Sequence, residues 1–188
     1  MLFFGAKMPN VKKYSKQFFI EKAVEMIRKK GFLSLGMRSL ADFSNVSTQP
    51  LYCNFKDLDD LKDSVLREIN DIYLGFLKKE ADSGKYPAYK ASGMGYVNFA
   101  RREPELFKAL FMRSRKNEDG KREDEYFIET VKSVAERYNI SFEAAKKFHL
   151  IMWVVVHGIA TQIATEYLTL SEDDVSDILS TTFKAFFA

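Results

Sequence analysis

Apolar residues recur along this chain every three to four positions, and no alternating strand pattern of useful length interrupts them, so the sequence predicts helices throughout. Phe19, Ala23, Met26 and Ile27 share one face of a first helix, Ser15 to Lys30, which Gly31 closes. Leu40 and Phe43 anchor a short second helix over Met37–Ser44, and a third follows at Thr48–Phe55. Leu58, Leu61, Val65, Ile69, Ile72 and Phe76 form one stripe on a long fourth helix, Leu58–Asp82, with Asp57 as its N-cap and Asp60 at the capping-box position. Ser83-Gly84-Lys85-Tyr86-Pro87 is the clearest break. Beyond it the pattern predicts a fifth helix at Ala88–Arg101 and a sixth from Pro104 to Met112. A charged loop, Arg113–Glu125, leads to a seventh helix at Glu125–Tyr138. An eighth, capped by Ser141, runs to Tyr167, and a ninth opens on the Ser171/Asp174 capping box. The middle of the eighth, Leu150–Val156, is apolar all round, which predicts burial on several sides. The expected fold is all-α with about nine helices: a three-helix head (1–56), a connecting helix (57–82) and a helical body (83–188).

Composition narrows the class. With 46% hydrophobic and 29% charged residues the chain reads as a soluble globular protein. A single cysteine, Cys53, excludes an internal disulfide and fits a reducing cytosol. The Leu150–Val156 run is far below the ~20 residues of a membrane span, and Leu2-Phe3-Phe4 is too short for a signal-peptide core. A cytoplasmic location and no membrane partner are therefore expected.

The charge is uneven. Residues 1–56 carry ten lysines and arginines against three acids, a net of +7, which leaves −4 on the rest of this +3 chain. A basic head on an acidic body points to a polyanion held at one end. Acids cluster at two helix starts (Asp57, Asp59, Asp60; Glu172, Asp173, Asp174), where they complement helix dipoles rather than form an acid–base pair. His149 and His157 stand eight apart with no Cys or carboxylate at ligand spacing. No catalytic residue, metal or cofactor is expected, and an all-α small-molecule binder or enzyme with an incidental basic head is the alternative.

Met37–Phe55 has the details of a helix-turn-helix. Asn45 falls where the turn needs a positive φ, which Asn tolerates better than most residues. Ser47 is placed to cap the third helix, with Pro50 in its first turn where no intrahelical acceptor is lost. Leu40, Val46, Leu51 and Phe55 form the wedge beneath. Thr48, Gln49, Pro50, Tyr52 and Asn54 are left facing outward, and Gln and Asn amides suit adenine edges in a major groove. Arg38 is placed to reach a phosphate.

These residues resemble the tetracycline-repressor-like (TetR) family of transcriptional regulators. The similarity runs through Ala23, Gly31-Phe32, Leu40-Ala41, Val46-Ser47 and Leu51-Tyr52-Cys53-Asn54-Phe55 to Leu61. The resemblance implies that Tyr52 contacts a phosphate and Phe55 anchors the core. Two positions depart from the family pattern: Asn45 replaces the turn glycine, and Leu58 replaces the usual lysine at the start of the fourth helix, leaving Lys56 as its substitute.

The body is similar to the Trp-His-Gly subgroup through Tyr96–Ala100, Glu103–Phe107, Trp153 and His157-Gly158. The resemblance implies a repressor that binds a palindromic operator as a homodimer and is released by a small, largely apolar effector. Phe76, Met94, Phe107, Met112, Met152, Trp153 and His157 are the candidate effector contacts, with Asn98, Arg101 and Gln162 as polar anchors. Trp153 and His157 share a helix face, and core packing, with His157 bonded to a backbone carbonyl, is favoured over effector contact. The resemblance places the dimer interface on the last two helices, where Ile178, Leu179, Phe183, Phe186 and Phe187 give the ninth more apolar surface than a terminal helix needs.

Overall fold

The computed structural model describes residues 14–113 and 125–187. Among them lie nine α-helices and no strand: α1 Lys16–Lys30, α2 Met37–Phe43, α3 Gln49–Asn54, α4 Leu58–Asp82, α5 Ala88–Arg102, α6 Pro104–Phe111, α7 Glu125–Tyr138, α8 Phe142–Ala164 and α9 Glu172–Phe187. Most of the charged stretch read as a loop, residues 114–124, lies outside the described residues. The chain divides into two compact units, Met1–Glu68 and Ile69–Ala188, with the division inside α4.

In the first unit the predicted caps are in place. Ser15 Oγ accepts from the Phe18 N–H at 3.0 Å and Gly31 closes α1 with φ 74°. Asp57 accepts from the Asp60 N–H at 2.9 Å. Asp60 reaches back to the Lys56 N–H at 3.0 Å, one residue earlier than a capping box would place it. Phe19, Leu40, Leu51, Phe55, Leu61 and Val65 are fully buried and make the core. Rings run from Tyr14 through Phe18 and Phe19 to Phe55, with centroids 5.1 to 6.5 Å apart.

In the second unit α5 packs against α6, α8 and α9. A Cβ at Gly95 would lie 3.0 Å from the Leu77 Cα and 3.1 Å from the Phe76 carbonyl, so a hydrogen side chain is what lets α5 approach α4 there. Tyr73, Tyr96, Phe99, Phe107 and Phe111 form one ring cluster. Tyr138, Phe148, Phe183, Phe186 and Phe187 form a second.

Helix α8 differs from expectation twice. It stops at Ala164 rather than Tyr167, because Glu166 turns left-handed (φ 58°) and the Tyr167 N–H caps the Gln162 carbonyl. Its apolar middle, expected to be buried on several sides, buries Met152 and Val156 but leaves Leu150, Trp153 and Val154 53%, 47% and 55% exposed. By length and composition this helix could cross a bilayer, but it packs against α5, α6, α7 and α9.

Candidate nucleic-acid interface

The turn between α2 and α3 is built from backbone hydrogen bonds. Asn45 has φ 53°, its N–H reaches the Asp42 carbonyl at 3.1 Å, and the Val46 N–H reaches Ala41 at 3.0 Å. With the Ser44 N–H on the Leu40 carbonyl, these bonds satisfy three of the carbonyls at the end of α2. Helix α3 then begins at Gln49, not at a Ser47 cap. Thr48 occupies the N-cap with helical angles (φ −73°, ψ −19°), and no side chain caps the helix. Thr48's carbonyl accepts from both Leu51 and Tyr52, and Pro50 at the second position has no N–H to leave unpaired.

Leu51 and Phe55 turn inward and are buried, while Gln49, Tyr52 and Cys53 face solvent, with Tyr52 61% exposed. Arg38 at the start of α2, Ser47 in the turn and Lys56 after α3 are also exposed; Thr48 and Pro50 are half-buried. Asn54 does not face outward as its spacing predicts. Its amide donates to the Pro50 carbonyl at 2.8 Å and to the Tyr14 carbonyl at 3.2 Å, which turns the side chain back onto its own unit. Leu58 is half-buried at the first position of α4.

Cations crowd the same unit. Lys22 and Lys29 both hold Glu25, at 2.8 and 3.0 Å. The Lys22 hydrogen bond is the main reason that carboxyl is lowered to about 2. Lys16 pairs with Asp60 at 3.3 Å, and the Lys56 backbone N–H holds the Asp60 carboxyl below its usual range. Lys29 and Lys30 both lie 5.6 Å from the Phe43 ring.

The candidate effector residues separate into two groups. Met94, Phe107 and Met152 are buried, and the half-buried Phe76 ring packs 5.5 Å from Phe99, whereas Met112 is exposed. His157 pairs its Nδ1 with the Tyr96 hydroxyl at 2.8 Å rather than with a backbone carbonyl, and stacks on Trp153 with ring centroids 5.0 Å apart. A phenol on the facing helix is a partner that local spacing could not reveal. Tyr89 and His149 repeat that pairing at 2.9 Å, and burial holds both imidazoles below their ordinary pKa. Asn98 donates to Glu80 at 3.3 Å and Arg101 to the Leu170 carbonyl at 2.8 Å.

A cavity of about 300 Å³ opens between the first turn of α5 and α7, lined among others by Tyr89, Ser92, Ser133, Arg137 and Tyr138. None of the predicted effector residues lines it. The sequence gives no periodic signal for it, because its walls mix aromatic, aliphatic and polar side chains from two separate helices. On the last two helices, Leu179 is buried and Phe183, Phe186 and Phe187 pack on Phe148; Phe187 nevertheless stays partly exposed, as do Ile178 and, on α8, Phe142, Leu150, Ile151, Trp153 and Val154.

Residues 89–186, a little over half of the chain, match the family model described as tetracyclin repressor-like, C-terminal domain. Three solved structures share the fold. A TetR-like transcriptional regulator from Rhodococcus sp. RHA1 has a TM-score of 0.62 at 16% identity, over 89% of this chain and 92% of that one. A member of the TetR family from Streptomyces coelicolor A3 has a TM-score of 0.60 at 19% identity, over 89% and 96%. The multidrug binding protein EbrR, complexed with imidazole, has a TM-score of 0.57 at 18% identity, over 97% of each chain. No curated protein matches the chain.

Proposed function

The chain belongs to the tetracycline-repressor-like family of transcriptional regulators, and from that premise we propose that it is a cytoplasmic repressor: a homodimer that occupies a palindromic operator until a small, largely apolar effector releases it. The observation that carries this reading is the outer face of α3, where Gln49 and Tyr52 stand exposed on a short helix flanked by Arg38 and Lys56. In a major groove, Gln49 would bond a base edge, and the Tyr52 hydroxyl and the two cations would bond phosphates.

Homodimerisation is supported by apolar side chains that α8 and α9 leave exposed, among them Leu150, Ile151, Val154, Ile178 and Phe187. Patches of this kind mark partner surfaces, and a two-fold pair buries the same patch from both copies. A two-fold dimer would present two α3 helices about 34–36 Å apart, one turn of DNA.

For the effector, the proposed contacts are Met94, Phe107, Met152, Trp153 and His157, of which Phe107 and His157 pack on the Tyr96 ring. Tyr73 and Phe76 of α4 touch the same ring cluster. A ligand parting those rings would therefore bias α4, and with it the population of molecules whose heads fit the operator.

The reading is tested by fluorescence anisotropy on DNA flanking the protein's own gene, across a salt series and against scrambled competitor. Sequence-selective binding at moderate salt is expected. Equal affinity for both duplexes would overturn it.

A further inference from the structure

The cavity between α5 and α7 has no part in the reading above. Its α7 wall is one helical face, running from Glu129 through Ser133 to Arg137 at four-residue spacing, and Tyr89 and Ser92 line it from α5. At about 300 Å³ it stands at the lower end of the range for small-molecule sites, a space for one ring rather than several.

Two aromatic rings in the lining are already held in place. The Tyr89 hydroxyl pairs with His149 Nδ1 at 2.9 Å, and its ring packs on Phe148 with centroids 5.5 Å apart. The Tyr138 ring packs on Phe183 and Phe187 at 5.3 and 4.9 Å. Side chains of α8 and α9 thus fix both rings, and a ligand packing on them does not have to order them. The two ends of the α7 wall differ in charge. Arg137 and Glu129 are both exposed, and neither has a hydrogen-bond or ion-pair partner among the described residues. Eight residues of helix at ~1.5 Å each set their Cα atoms about 12 Å apart, so each charge is open to a different end of one bound molecule.

We propose that this cavity is a second ligand site, which takes a small aromatic acid carrying a hydrogen-bond donor at the far end of its ring. The carboxylate meets the Arg137 guanidinium, whose planar fork can donate two parallel bonds to it. The ring packs on Tyr89 and Tyr138, and the donor reaches the Glu129 carboxylate. None of the effector contacts proposed around Tyr96 lines this cavity, so the two sites are separate.

The test is a titration of the isotope-labelled full chain followed by amide shifts in nuclear magnetic resonance. The probe is para-hydroxyphenylacetate, with para-hydroxyphenylacetamide and phenylacetate as controls that lack the charge and the donor. A single-ring compound of this size should bind with a Kd on the order of 1 mM. Saturable shifts are expected at Tyr89, Ser92 and Ser133, with each control about tenfold weaker. Arg137→Gln should abolish the preference for acid over amide, and Glu129→Gln the preference for the hydroxylated acid. Both are exposed positions on α7, where substitution leaves the fold in place. Equal binding of acid and amide, shifts confined to the surroundings of Tyr96, or no saturable shift at about ten times the expected Kd would overturn the site. Operator binding plays no part in this readout, so the site can fail while the repressor reading stands.

Discussion

The unit ending at Glu68 keeps its ionisable groups in surface pairs such as Lys22 and Lys29 on Glu25 and Lys16 on Asp60, around a small aromatic core. The unit beginning at Ile69 encloses polar groups among rings, with Tyr89 on His149 and Tyr96 on His157 between α5 and α8. The first arrangement leaves a helix face free for a partner and holds it by turns and caps. The second fixes helices against one another with pairs that lose their fit if either member changes charge. A reading surface needs rigidity beneath and open side chains above, whereas a sensing body needs a packing that a ligand can disturb.

The difference predicts where damage shows. Phe99→Ala should destabilise the second unit by about 3–5 kcal/mol, since the ring is fully buried against Tyr73, Phe76 and Phe107. Denaturant unfolding followed by Trp153, the sole tryptophan, reports it, and unchanged amide protection in α1–α3 would confirm that the damage is local. Gly95→Ala should cost about 1–3 kcal/mol by the same probe, because the new methyl meets Leu77 and the Phe76 carbonyl. In the first unit Asn45→Ala should cost less, under about 1 kcal/mol, because both residues carry a Cβ and only the local hydrogen bonding that eases Asn into the left-handed region is lost. A loss seen by Trp153 instead of in α1–α3 would blur the contrast.

Acid should separate the units more gently. Burial holds His149 and His157 below the ordinary imidazole value of 6.5, so the unfolded chain binds protons that the folded one refuses. The stability of the second unit should therefore fall as pH drops below 6.5. Glu25, lowered to about 2 from 4.5, costs the first unit nothing until pH falls below 4.5. Trp153 unfolding midpoints at pH 7.5 and 5.5 should differ, and less so in His149→Gln/His157→Gln. Equal midpoints in the unaltered protein would contradict the burial argument.

Local chemistry was legible in the residues. The Asn45 turn, the Ser141 cap and the Ser171/Asp174 box all stand where spacing places them, because each is decided within six residues. What failed was decided at a distance. Asn54 turns inward onto two carbonyls, Pro50 in its own helix and Tyr14 forty residues away, and His157 chooses Tyr96, sixty-one residues away. The apolar girdle of α8 says that surfaces will be covered, but not whether by this chain or by a second copy. The cavity beside Tyr89 and Arg137 has no sequence signature at all.

The claim on which the rest depends is that the open face of α3 selects DNA. The direct measurement is the affinity of the full chain and of Gln49→Ala for operator and scrambled duplexes at one salt concentration, with the oligomeric state checked in parallel. A bidentate amide contact contributes about 1–3 kcal/mol, so operator binding should weaken roughly 5- to 150-fold per head while scrambled binding and the oligomeric state stay unchanged. Equal losses on both duplexes, or none on either, would contradict it.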